Sequence, residues 1–223
     1  MTDLNQLAII LDAATARSNE AVAKRLPLQD QSDFEAARLG KIADVPADGI
    51  DNAHGRKAWD MGAFDFLKED SPSTVNPSLW RMGQLNTNAG LFEVTEGVWQ
   101  ARSFDYANMT IIQGQTGWIL VDPLMTRETS AAALKVVNET LGERHVSAVL
   151  ITHTHPDHFG GLRGVVDADN PPPIWAPDGF MDYAASEGVL GGNHTSRRAI
   201  YQFGLPLQPG PTGLIDGGIG KTV

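Results

Sequence analysis

The chain has 223 residues, a formal charge of -10 and no cysteine. That length buries one sizeable core, and the missing thiols exclude disulfides, thiolate catalysis and cysteine-ligated zinc, so a metal must rest on His, Asp or Glu. The acidic balance argues against a nucleic-acid or anionic-membrane surface, which needs clustered Lys and Arg, and an anionic small substrate would need a local positive centre.

The amino terminus opens with Asp3, lacks a basic leader region, and its apolar run Leu7 to Leu11 is cut by Asp12. It does not read as a signal peptide, nothing later is long enough for a membrane span, and the expected location is cytoplasmic. Residues 1–89 read as an irregular, partly helical extension, with Leu4, Leu7, Ala8 and Leu11 at helical spacing and breaks at Pro27, Pro46, Pro72 and Pro77. From Gly90 the texture changes to strand runs. Leu91 to Ala101 is a pair of strands around Glu96-Gly97, and Met109 to Gln113 faces Trp118 to Val121 across Gly114 to Gly117. Thr126 is placed to cap a helix with Ala133, Val136, Val137 and Leu141 on one face, which Gly142 ends. Val146 to Ile151 reads as a buried strand, and Ile174 to Ala176 as another after Pro171-Pro-Pro173. The tail from Gly204 to Val223 is rich in Gly and Pro and shows no closing element. This order predicts layered α/β architecture with chemistry at strand ends.

Thr152-His-Thr-His-Pro-Asp-His-Phe-Gly-Gly161 concentrates three of the six histidines directly after the Val146 strand. Imidazole and carboxylate bind zinc without sulfur, and this spacing lets His153 and His155 share one ion while Asp157 and His158 reach a second. A His-rich surface loop is the bland alternative, which four candidate ligands together make a poor account. Gly160 and Gly161 allow close backbone packing where a following helix is expected to start. His54, His145 and His194 stand alone and read as surface or packing residues; Trp80, Trp99 and Trp118 read as core.

The H-x-H-x-D-H pattern, with a strand ending at Asp122, resembles the metallo-β-lactamase superfamily, whose αββα sandwich holds one or two metals, most often zinc. Val75-Asn-Pro-Ser-Leu-Trp-Arg81, Gly83-Gln-Leu-Asn86, Gly90 to Gly97, Ala107-Asn-Met-Thr-Ile111, Gly117 to Leu124, Gly192-Asn193, Ser196-Arg-Arg-Ala199 and Tyr201 look like the linear alkyl sulfatase family, over roughly residues 30–223. The resemblance implies a Zn2+ pair per complete site and hydrolysis of alkyl sulfates such as dodecyl sulfate to alcohol and sulfate through a metal-bridged hydroxide. His153, His155, Asp157 and His158 would be ligands, and Asp157 would also orient the hydroxide. Asp122 would accept an imidazole N–H behind them, or be only a turn residue before Pro123. Asn193, Arg197, Arg198 and Tyr201 would face the sulfate or the start of the alkyl chain, or form a solvated helix face.

Family members continue further, with acidic ligands and another histidine, a helical dimerisation region and a lipid-carrier-like domain. Residues 90–223 are therefore expected to be the amino-terminal half of the catalytic domain, inactive alone, from a homodimeric parent that in this family can be periplasmic or secreted. The rivals are a thioesterase or lactonase of the same fold, or a non-catalytic metal-binding chain.

Overall fold

The computed structural model describes residues 4–217 and 221, with backbone alone for 4–11. Asp3 and the last stretch of the Gly-rich tail, apart from Lys221, lie outside the described residues. The helical spacing near the amino terminus falls in α1 (Leu4–Ala23), which runs well past Leu11. Alanines recur through Ala13, Ala14, Ala16, Ala21 and Ala23, and their helix propensity prolongs what apolar spacing only starts. After α2 (Ser32–Arg38), the chain before Gly90 does more than wrap: β1 (Lys41–Ala43) pairs antiparallel with β4 (Gly90–Thr95) and forms one edge of a seven-stranded sheet. Three residues carry too little alternation to announce a strand. A small hairpin of β2 (Ile50–Asp51) and β3 (Lys57–Trp59) sends Ile50 and Trp59 into the main core. A 3-10 segment, Met61–Lys68, precedes α3 (Pro77–Leu85), where Asn76 accepts from the Ser78 N–H at 2.9 Å and Pro77 occupies the first turn.

The expected meander is present as β4, β5 (Val98–Arg102), β6 (Met109–Gln113) and β7 (Trp118–Val121), paired antiparallel in sequence order. From β7 the chain crosses through α4 (Arg127–Leu141) to β8 (Val146–Leu150), which lies parallel to β7, and β9 (Ile174–Trp175) extends the parallel part. The architecture is α/β on a central mixed sheet. Thr126 caps α4 by accepting from the Thr129 N–H, and Gly142 at φ +99° ends it. Ala133 and Val137 are fully buried, with Val136 and Leu141 packed at the margin. Trp99 and Trp118 meet edge to face at 5.7 Å inside the core.

The β8 run departs from the fully buried strand expected of it. Val149 is buried, while Leu150 is 39% exposed, and its parallel partner Trp175 is 67% exposed. Paired residues share a sheet face, so the face opposite Val149 is open at this end of the sheet among the described residues. After β9 come α5 (Phe180–Ala185), a π-helical turn at Ser186–Leu190 and α6 (Gly192–Phe203).

Among the described residues the tail adds no helix or strand beyond an isolated bridge between Pro209 and Leu214, yet several of them are firmly held. Leu214 and Ile215 join Phe64, Leu67 and Trp80 in a second apolar cluster. The Lys221 ammonium, with no exposed side-chain surface, donates to Asp216 at 2.8 Å and to the Gly83 carbonyl at 2.7 Å, above the Phe64 ring. Burial pulls the Lys221 pKa down, against the upward pull of Asp216. Removing one partner of such a pair strands a charge in low dielectric. Lys221→Ala is expected to lower the unfolding free energy by about 3 kcal/mol in urea titration, and the double change Lys221→Met with Asp216→Asn to recover part of that loss.

Candidate metal centre

The parallel strands β7 and β8 end side by side, with the Asp122 N–H donating to the Leu150 carbonyl at 2.9 Å. Asp122 then turns the chain at φ +57°, a left-handed conformation that Asp tolerates better than most residues. Asp122 is only 7% exposed, and its carboxylate gathers three donors. Oδ1 accepts from the Thr152 N–H at 2.8 Å, while Oδ2 accepts from the Thr152 hydroxyl at 2.7 Å and from His158 Nδ1 at 2.9 Å. His153 Nδ1 lies 2.9 Å from the same Thr152 hydroxyl oxygen, whose proton is already committed to Asp122, so this nitrogen is the donor. Asp122 thereby fixes two imidazoles, one directly and one through Thr152. In both rings Nε2 is the nitrogen left outside the Asp122 network.

The rings of His153 and His158 stand 4.1 Å apart and those of His153 and His155 4.7 Å apart. Asp157 Oδ2 lies 3.2 Å from His158 Nε2. His155 Nε2 lies 3.0 Å from Oε1 of Glu187, on the π-helical turn, and the other carboxylate oxygen of Glu187 accepts from Thr154 at 3.4 Å. Among the described residues no three His, Asp or Glu side chains already converge as a metal cage, and Glu187 and Asp157 each face a ring nitrogen. The donor set nevertheless fits a divalent cation. It is oxygen and imidazole nitrogen only, clustered at strand ends, with two Nδ1 atoms satisfied from behind.

Glycine keeps the loop in place. A Cβ on Gly161 would stand 2.2 Å from the Pro123 carbonyl oxygen, and one on Gly160 2.3 Å from that of Met125. The Gly161 N–H donates to the Leu124 carbonyl at 2.8 Å. These glycines therefore press the histidine loop against the loop after β7, and a 3-10 turn at Leu162–Gly164 follows where a helix was expected.

Asp105 fastens that loop from below and escaped the sequence reading, as did Glu187. Its carboxylate, 3% exposed, accepts from the N–H groups of Met125 and Thr126 at 3.2 Å each, from the Tyr106 N–H and from the Thr129 hydroxyl. Burial pushes the Asp105 carboxyl above the ordinary carboxylate range, against those donors.

Of the other sequence candidates, Asn193, Arg197 and Tyr201 sit at four-residue steps along α6, so they share one face of it. All are exposed, Tyr201 by 89%, and none bonds to the histidine loop. Arg198 is exposed beside Arg197. His54, His145 and His194 are exposed and stand outside the cluster. A concavity of about 850 Å³ is lined by residues such as Phe34, Met61, Trp80 and Arg81 and includes no histidine. It belongs to the amino-terminal segment, and the chemistry of the donors, not the size of the groove, locates the site.

Asp105→Ala leaves two backbone N–H groups of the loop without their acceptor, and a loss of about 2–3 kcal/mol in unfolding free energy is expected. A folded pKa raised above the unfolded value makes the Asp105 contribution greatest below the carboxylate range and diminishes it as pH rises through the raised value. The difference between wild type and variant in denaturant titrations should therefore shrink on going from acid to neutral pH.

A family model described as the metallo-beta-lactamase superfamily matches residues 102–222. A linear primary-alkylsulfatase from Pseudomonas sp. is 44% identical over 94% of this chain and 32% of its own length, and an (R)-specific secondary-alkylsulfatase from Pseudomonas sp. is 46% identical over the same shares. The alkyl/aryl-sulfatase BDS1 of Saccharomyces cerevisiae is 43% identical over 93% of this chain and 33% of its own. The solved structure of the stereoselective inverting sec-alkylsulfatase Pisa1 from Pseudomonas sp. superposes with a TM-score of 0.88 at 45% identity, covering 95% of this chain and 34% of that one. The chain thus spans about a third of the length of the relatives it matches. The family match takes in β7, α4, β8 and the whole histidine loop, and the chain belongs to the metallo-beta-lactamase superfamily.

Proposed function

We propose that this chain carries metal-binding residues of a sulfuric ester hydrolase that cleaves linear alkyl sulfates, such as dodecyl sulfate, to alcohol and sulfate. The observation that carries the reading is the Asp122 network, which leaves Nε2 of His153 and of His158 on neighbouring rings 4.1 Å apart. The alkylsulfatase relatives supply the substrate class.

His153 and His155 would hold one Zn2+, with Asp157 and His158 on a second. When bound, such cations supply Lewis acidity toward sulfate oxygens and make a water acidic enough to attack near neutral pH. They also provide the positive centre that a chain of net charge -10 otherwise lacks for an anionic substrate. The protein's own part is orientation. Asp122 keeps the two imidazoles in one tautomer, Glu187 holds His155 and Thr154, and Asp157 Oδ2 accepts a hydrogen bond from the attacking water and aims it at the ester. The water oxygen bonds to the sulfur or carbon of the ester as that atom's bond to the bridging oxygen breaks; one water proton ends on the alcohol and the other is released, leaving sulfate.

The double change His153→Ala with His155→Ala is expected to abolish stoichiometric zinc uptake, read by elemental analysis or native mass spectrometry. Unchanged zinc content would overturn the ligand assignment. A catalytic zinc is held by about three protein ligands, while the loop offers four donors for two ions. The 223-residue chain by itself should therefore retain fewer than two zinc ions and release no sulfate above a blank. Assayed at whatever length its gene encodes, the protein should release sulfate from dodecyl sulfate. A thioester and a lactone run beside it test the rival hydrolases, and turnover of either without sulfate release would reassign the substrate.

A further inference from the structure

Tyr106 is fixed through its backbone and one edge-to-face ring contact, while its hydroxyl has no partner among the described residues. Its N–H donates to the neighbouring Asp105 carboxylate at 2.5 Å, and that carboxylate is itself bound to the loop carrying Met125 and Thr126. Its ring packs edge to face against Phe203 of α6 at 5.9 Å and 79°. Oη at the far end is buried and has no hydrogen-bond partner among the described residues. Burial raises the phenol pKa, and the charges of Asp157 and then Asp216 push it the same way. The hydroxyl therefore stays a neutral donor, within electrostatic reach of an acidic member of the histidine loop.

Its acidic neighbours are otherwise engaged. Asp216 is paired with Lys221 at 2.8 Å and accepts from Asn86 at 3.0 Å, and Asp157 faces His158. A buried, unpaired hydroxyl costs the fold its full desolvation, and a rigid ring cannot turn it back to water. Such an atom is explained by a ligand that arrives with an acceptor. An anion drawn to the cations of the histidine loop brings acceptors, whereas an alkyl chain brings none.

We infer that Tyr106 is a substrate-contact residue, donating its phenolic hydrogen bond to a non-bridging oxygen of the sulfate group. This rests on the sulfate-ester reading above and adds to it a residue that discriminates the anionic head by a directed donor. Asn193, Arg197 and Tyr201 are exposed on α6; Tyr106 is half-buried with its hydroxyl fully buried, tied through Asp105 to the loop on which the histidine loop packs and within electrostatic reach of Asp157.

The test compares wild type with Tyr106→Phe, both zinc-loaded and at the length the gene encodes. The probes are inorganic sulfate and octane-1-sulfonate, which keeps three sulfonyl oxygens but has no ester bond to break. Binding is read by calorimetry and folding by thermal melting, with KM and kcat for octyl sulfate measured alongside. Tyr106→Phe should bind octane-1-sulfonate at least about tenfold more weakly, the range of a lost hydrogen bond to a charged group, with an unchanged or raised melting temperature. Removing an unpaired hydroxyl relieves desolvation, so a purely structural tyrosine would not weaken ligand binding alone. Equal affinities in the two proteins would overturn the Tyr106 assignment and leave the sulfatase reading standing. Weaker binding accompanied by a falling melting temperature would also overturn it, in favour of a packing role. Failure of the wild type to bind either probe would remove the sulfate-ester reading itself, and the Tyr106 contact with it.

Discussion

Two parallel strands delivering their last residues to the same place create a problem that one carboxylate resolves. At the ends of β7 and β8 the backbone stops pairing, leaving N–H groups that would lie buried without acceptors. Asp122 takes the Thr152 amide, then the Thr152 hydroxyl, then the His158 ring. One side chain thus closes the strand ends, starts the histidine loop and sets the direction of two of its rings. Asparagine in its place would present an amide that donates as well as accepts, and could not receive all three donors. The left-handed backbone at Asp122 shows that the chain bends sharply to bring this group under the loop. The site's orientation and the sheet's termination are therefore a single device, which is why the donors are ordered at a surface of strand ends.

Much of this was legible in the sequence because it is local. The meander from Gly90 to Val121, the Thr126 cap, the Gly142 stop and the His-Asp loop each lie within a few residues of their cause. Other features depend on partners far along the chain. Lys41 to Ala43 becomes a strand only because β4 offers an edge, and Asp105 acquires its role only when Met125, Thr126 and Thr129 arrive above it. Glu187 lies 32 positions from His155 in a stretch without apolar period. The tail looked unfinished because its anchoring is a buried Lys221–Asp216 ion pair whose ammonium donates to the Gly83 carbonyl, which leaves no periodic trace.

The charge distribution follows the same logic. The chain is strongly acidic overall, yet the carboxylates that touch the histidine loop are each committed: Asp122 to three donors, Glu187 to His155, and Asp157 to His158. Surface carboxylates such as Glu20, Asp51 and Asp65 make exposed pairs with Lys24, Lys57 and Lys68, which contribute little to stability. On the proposed function, affinity for an anion would rest on cations held at the histidine loop, not on the average charge of the surface.

The Lys221 contact to Gly83 spans 138 positions, whereas the meander pairs residues at most 14 positions apart, as Val98 with Ile112. Closing a long loop carries an entropy cost that grows with length, and distant pairings form after near ones. The meander and the β7–α4–β8 unit are therefore the part of the chain able to organise early, with the clasp between α3 and the tail fastening last. The same order run backwards makes that clasp the first region to open. Amide hydrogens around Gly83 and Leu214 should then exchange through a partial opening, while those of β5 and β6 wait for global unfolding.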